Sequence, residues 1–123
     1  MNGKVLLFQV PEGEILAKIR LVAQRQNVQI RVVGLGEYHR TIGQLAMLPP
    51  APGICGGTVL TEPMMVLCMQ PQQLDYVLAA LRSAGVPPIC KAVLTPTNAA
   101  WTPEQLLTEL QRERAEFMKK NNP

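Results

Sequence analysis

The sequence has few of the residues that mark metal sites, disulfide scaffolds and membrane spans. It contains one His and three Cys in 123 residues, and no two cysteines form a Cys-x-x-Cys pair, which argues against a zinc site built from Cys and His. No apolar run approaches the roughly 18 residues of a membrane span, and the N-terminal apolar run is too short for a signal peptide. We therefore expect no metal, no cofactor, no membrane association, and a cytoplasmic location with reduced thiols.

Aromatic residues are also few, and the middle of the chain has no basic residues. Phe, Trp and Tyr make up only 4% of the chain, so the core must consist of aliphatic residues and Met. The formal net charge is +3, yet no Lys or Arg occurs between Arg40 and Arg82. Basic runs with interleaved aromatics are missing, which argues against nucleic acid as the partner.

What the sequence does contain is a regular alternation of apolar strands and amphipathic helices. The apolar runs predict strands at 5–10, 29–34, 64–69 and 89–95, and a helical pattern with apolar residues three or four apart follows each run. The start of the last helix is marked by Thr102 as N-cap, Pro103 at the first helical position, and Gln105 to complete a capping box. The order β-α-β-α-β-α-β-α predicts a single α/β domain over residues 1–123 with a four-stranded sheet.

The two halves of the chain, 1–48 and 62–120, share this pattern and predict a duplicated βαβ unit, joined by a Pro/Gly linker at 49–58. Two folds remain open. One is a parallel, doubly wound sheet covered by helices on both faces, which nearly continuous apolar strands favour. The other is a ferredoxin-like α+β sandwich with added helices, in which the third strand is antiparallel. Both place the first and third strands at the centre of the sheet.

Residues 62–120 carry a distinctive set of features: an apolar strand after Glu-Pro, a Leu-Asp helix, the run Lys-Ala-Val-Leu-Thr-Pro-Thr-Asn, a Trp, and an acidic amphipathic last helix. In these features the chain resembles an uncharacterised bacterial family, the domain of unknown function 3783. The resemblance implies a bacterial protein and brings no known activity with it.

The stretch from Lys91 to Trp101 is the best candidate for a binding site. In a parallel sheet, ligands bind beyond the carboxyl ends of the strands. Thr95, Thr97 and Asn98 would lie there beside a helix N-terminus, which favours an anion. Trp101 would form an apolar wall, and Lys91 would reach along the strand. His39, which follows the second strand, could act at the same rim as a general base.

A purely structural interpretation of the same residues stays open. Thr, Pro and Asn are residues that form tight turns whether or not a ligand binds. A Lys on an edge strand protects the sheet against aggregation. Cys68 and Cys90 fit small core residues. Cys55 in Gly-Ile-Cys-Gly-Gly is the best thiol nucleophile, but no neighbouring base or cation activates it.

The sequence favours a non-catalytic binding or regulatory module over an enzyme. The long last helix has a narrow apolar stripe flanked by charges, which suits pairing with a second copy in a homodimer. A solvated helix that rests on the sheet explains the same pattern. The alternative function is an enzyme or carrier for a small anionic metabolite, bound at the 91–98 loop.

Overall fold

A computed structural model of the chain describes residues 3–48 and 59–120. The predicted linker 49–58, with Cys55, therefore lies outside the described residues. The elements are β1 Lys4–Phe8, α1 Glu14–Arg25, β2 Gln29–Val33, α2 Ile42–Met47, β3 Met64–Cys68, α3 Pro71–Ser83, β4 Cys90–Val93 and α4 Pro103–Lys120. Short 3-10 turns at Leu35–Glu37 and Asn98–Ala100 precede α2 and α4.

The four strands form one mixed sheet in the order β2-β1-β3-β4. β1 pairs with β2 in parallel and β3 pairs with β4 in parallel, whereas β1 and β3 are antiparallel, with Leu6 opposite Val66. The outer pairs are each connected through a helix, α1 or α3, as a parallel pair requires. The sheet thus consists of two βαβ units joined through their first strands.

Helices cover both faces of this sheet. On one face α1 and α3 pack on alternate residues of the central strands, such as Leu7 and Met65; on the other, α2 and α4 pack on Phe8 and Met64. These four residues are completely buried. Coverage on both sides explains why β1 and β3 read as continuous apolar runs instead of alternating ones.

The predicted α/β class, the four-stranded sheet, the order of elements and the central positions of β1 and β3 are therefore confirmed. The sequence leaves the direction of the third strand open, and the structure shows β3 antiparallel to β1, as in the ferredoxin-like alternative. The helices cover both faces of the sheet, as in the doubly wound alternative, whereas those of a ferredoxin-like sandwich would lie on one face only. The N-caps Thr41 and Thr102 both make capping boxes, with Gln44 and Gln105.

Gln9 connects the two halves of the chain immediately after β1. It has a positive φ of 58°, so the chain leaves the strand two residues earlier than predicted. Its side-chain amide accepts a hydrogen bond from the Leu60 N–H at 2.5 Å and donates one to the Leu60 carbonyl at 2.8 Å. This paired contact positions the segment that enters β3.

Two strand cations hold α2 by its C-terminal end. Lys4 Nζ donates to the Ala46 carbonyl at 2.8 Å, and Arg31 donates to the Leu45 carbonyl. Both groups neutralise the negative end of the helix. Arg31 also binds Glu37 at 2.6 Å, and the two side chains are only 10% and 6% exposed. Arg40 lies 3.5 Å from the same carboxylate, so Glu37 compensates buried positive charge.

Replacing Glu37 should therefore destabilise the fold strongly. In Glu37→Ala the guanidinium of Arg31 stays buried without its carboxylate, and we expect the free energy of unfolding to fall by about 3 kcal/mol or more. Urea denaturation measures this change. Glu14→Ala is the matched control, because Glu14 is 82% exposed and pairs with Lys18 on the surface of α1, and it should cost about 0.5 kcal/mol or less. Equal losses in the two variants would contradict the assigned role of Glu37.

Candidate functional site

The corner between β4 and α4 is built by a reciprocal pair of polar side chains, Thr95 and Asn98. Asn98 Oδ1 accepts from the Thr95 N–H at 2.9 Å, and Thr95 Oγ1 accepts from the Asn98 backbone N–H at 3.1 Å. Asn98 Nδ2 also donates to the Val93 carbonyl at 2.9 Å. Asn98 is buried, so its hydrogen bonds are directed to the chain itself.

α2 contacts this corner from the other half of the chain. The Ile42 N–H donates to the Trp101 carbonyl at 2.8 Å, which satisfies one of the free N–H groups at the start of α2. A side chain at Gly43 would have its Cβ 3.0 Å from the Ala99 carbonyl oxygen, so glycine permits this close approach. The corner is therefore a structural junction between the two βαβ units.

A groove of about 410 Å³ opens beside the corner, between the outer edge of β4 and the first turns of α4. Its walls include five of the six predicted site residues, namely Lys91, Thr95, Thr97, Asn98 and Trp101. The rest of the wall is apolar, from residues such as Leu106 and Leu110, or acidic, from Glu109 and Glu113. His39 is exposed and does not line this groove.

Lys91 turns away from the corner towards the start of its own strand. Its Nζ donates to the Ile89 carbonyl at 3.2 Å, and burial lowers its pKa. It therefore also lines a second groove, of about 330 Å³, on the opposite face of β4 against α3. The predicted anion site is thus divided: the threonines line a groove that carboxylates also line, whereas Lys91 lies between the two grooves and its ammonium group is bonded to the Ile89 carbonyl.

A cluster around Glu62 was not predicted from the sequence. The Glu62 carboxylate accepts from Arg114 at 2.8 and 3.1 Å, from Gln111 at 2.8 Å, and from the Cys90 thiol at 3.1 Å. These contacts connect the segment before β3 to the middle of α4. Hydrogen bonds from Arg114 above all, then from Gln111 and Cys90, lower the pKa of Glu62 to about 2.

Cys90 is half-buried in this cluster, with Arg114 3.4 Å from its sulfur. Burial and the neighbouring Glu62 carboxylate raise the pKa of Cys90, and the cation only partly opposes them. Burial likewise raises the pKa of Cys68, to about 11. Both thiols are therefore protonated at neutral pH, and a protonated thiol is a poor nucleophile.

The fold and this corner define a three-layer α/β domain with a mixed sheet, whose second βαβ unit ends in a long helix. Residues 63–117, from β3 to near the end of α4, match the family model described as Domain of unknown function (DUF3783). The resemblance predicted from the sequence is thereby confirmed over this stretch. No curated protein and no solved structure matches the chain.

The hydrogen bonds of Asn98 make it a structural residue, so its loss should reduce stability. In Asn98→Ala the Val93 carbonyl and the Thr95 N–H lose their hydrogen-bond partner, and we expect the free energy of unfolding to fall by about 1–3 kcal/mol. Thr97→Ala is the control, since Thr97 is exposed and no side-chain hydrogen bond depends on it among the described contacts. Urea denaturation of both variants measures the difference. An Asn98→Ala protein as stable as the parent would contradict this role.

The stability of the protein should depend on pH through the ionisation of Glu62. A carboxylate with a folded-state pKa near 2, below its usual value of 4.5, stabilises the protein above pH 4.5, and this contribution is lost as the pH falls towards 2. The parent protein should therefore unfold at a higher urea concentration than Glu62→Gln at pH 7. The difference between the two urea midpoints should be smaller at pH 3. A gap that stays the same at both pH values would contradict the ionic role of Glu62.

Proposed function

We propose that this protein is a non-catalytic binding module. The observation that carries the proposal is the outer edge of β4, where an open groove with apolar and acidic walls borders polar groups that already bond within the chain. Thr95 and Asn98 bond to each other and to Val93 in building the corner, which favours a structural role for them over a catalytic one. Such a surface supports docking of a partner better than it supports chemistry.

The second half of α4 adds a surface for self-association. Its apolar contacts with the core come from its first half, through Leu106, Leu107 and Leu110. From Arg112 to Lys119 every side chain is exposed, and the six residues after Arg114 extend about 9 Å along the helix axis. Phe117 and Met118 are 66% and 61% exposed on this segment. We propose that it pairs with a second copy of the chain.

Two arginines beside this segment already have acidic partners within the chain. Arg112 binds both Glu109 and Glu116, one turn away on either side, and Arg114 binds Glu62. Contact between two copies would therefore bury apolar side chains without leaving these charges unpaired. The helix thus combines the two interpretations of its sequence: its first half rests on the sheet, and its second half provides the proposed homodimer contact.

A small anionic metabolite at the 91–98 loop is a second candidate, favoured by the groove that Thr95, Thr97 and Trp101 share. The carboxylate of Glu113, which lines the groove and has no ion pair among the described contacts, opposes an anion there, and we therefore rank this candidate below docking.

A cytoplasmic location also remains a proposal, and the free thiols of Cys68 and Cys90 support it. Within the described ranges, no helix has the length and apolar character of a membrane span.

Self-association is tested by the mass of the protein in solution. We expect a dimer by light scattering, and a monomer for the double variant Phe117→Glu and Met118→Glu, because four added charges at one interface repel each other. Met47→Glu is the matched control, since Met47 is 83% exposed on α2, away from the proposed contact, and this variant should remain a dimer. A parent protein that is monomeric at the same concentration would contradict the proposal.

A further inference from the structure

The outer edge of β4 keeps one backbone pair free for a partner strand. Leu94 N–H donates to the Leu67 carbonyl at 3.0 Å, so by the alternation of a ladder Lys91 and Val93 direct their backbone groups away from the sheet. The outward carbonyls of Ile89 and Val93 already accept from Lys91 Nζ and from Asn98. The backbone N–H and C=O of Lys91 have no hydrogen-bond partner among the described contacts. An extended chain that adds to a sheet edge forms its hydrogen bonds with such a pair of backbone groups.

The groove on the α3 side of this edge is cationic. It has an apolar floor from residues such as Leu78 and Leu81, and Arg82 and Lys91 provide its charges. No carboxylate lies among its described lining residues, and neither cation has an acidic partner within the described part of the chain. An acidic side chain with an aliphatic stem fits this groove.

The groove on the α4 side has an acidic wall. Its floor is apolar, from Leu106, Leu110 and Trp101, and Glu109 and Glu113 line it together with Lys91. Glu109 is paired with Arg112, whereas Glu113 has no ion pair among the described contacts. A basic side chain fits here, because its aliphatic stem covers the apolar floor while its charged head reaches Glu113. Side chains of an extended chain alternate between the two faces of a sheet, so one added strand would place its residues in the two grooves in turn.

We infer that the β4 edge binds an extended segment of another protein in which acidic side chains alternate with basic or apolar ones. The segment adds to the sheet beside Lys91, with its acidic residues towards α3 and its other residues towards α4. This inference rests on the proposed binding function and names its partner class. The partner is recognised by charge pattern, with the backbone of Lys91 fixing the register.

A second copy of this chain fits the edge less well. If two β4 strands paired antiparallel in one continuous sheet, each Lys91 would lie on the same face as the partner copy's Lys91, beside Arg82. That face would then carry an excess of positive charge with no carboxylate in the groove to offset it. The self-association surface proposed on α4 is therefore separate from the peptide surface on β4.

Binding is tested with two synthetic ten-residue peptides of the same composition and the full-length protein. In the first, Glu and Lys alternate around two central Leu residues; in the second, Glu and Lys occur in like pairs, so that each face carries both charges. Trp101 is the only Trp in the chain and lines the α4-side groove, so its fluorescence reports occupancy. We expect the alternating peptide to bind and the paired peptide to bind more weakly.

Variants of the protein then test the role of charge. Arg82→Glu should lower the affinity for the alternating peptide about fivefold or more, because an attractive contact at the edge of the groove becomes a repulsive one. Arg20→Glu is the matched control, since Arg20 is also exposed on a helix but does not line either groove, and it should leave affinity unchanged. Rising salt should weaken binding.

Three results would overturn the inference: equal binding of the two peptides, no binding of either, or equal effects of Arg82→Glu and Arg20→Glu. Displacement of the peptide by free glutamate at similar concentration would also overturn it, in favour of a small acid. None of these results affects the α4 dimer, because its test measures mass and changes only Phe117 and Met118. Failure of the peptide surface and failure of self-association are thus separate outcomes.

Discussion

The antiparallel pairing of β1 and β3 is the contact on which the rest of the structure depends. It joins the two βαβ units at the centre of the sheet, where Leu6, Leu7, Val66 and Leu67 are almost completely buried. Because each unit adds its own second strand in parallel, β2 and β4 become the two edges. Each edge then lies between a helix on either face, and β4 receives its two grooves from α3 and α4.

Local features of the fold could be predicted because they depend on residues close in sequence. The capping box of α4 needs only Thr102 and Gln105, three residues later, and Thr95 and Asn98 build their corner over the same short span. Burial of β1 and β3 follows from their apolar composition. For the candidate site, the sequence located the corner, and five of its six predicted residues line one groove.

Features that depend on distant residues could not be predicted. A strand buried on both faces has the same apolar composition whether its neighbour is parallel or antiparallel, so the direction of β3 left no signal. Glu62 and Arg114 are 52 positions apart, and either one alone resembles an ordinary surface charge. The cationic and acidic walls of the two grooves likewise arise only when α3, β4 and α4 are brought together. The duplication of the two halves stays a prediction, which the symmetric strand order supports.

An edge strand that is partly capped by its own side chains and flanked by a cationic groove and a groove with an acidic wall is the basis of the proposed function. Amide hydrogen exchange along β4 tests this most directly. If the edge is open, the N–H groups of Ala92 and Leu94, which face β3, will be protected, while those of Lys91 and Val93 will exchange rapidly. Equal protection at all four positions would mean that another strand already covers the edge, and would contradict the account.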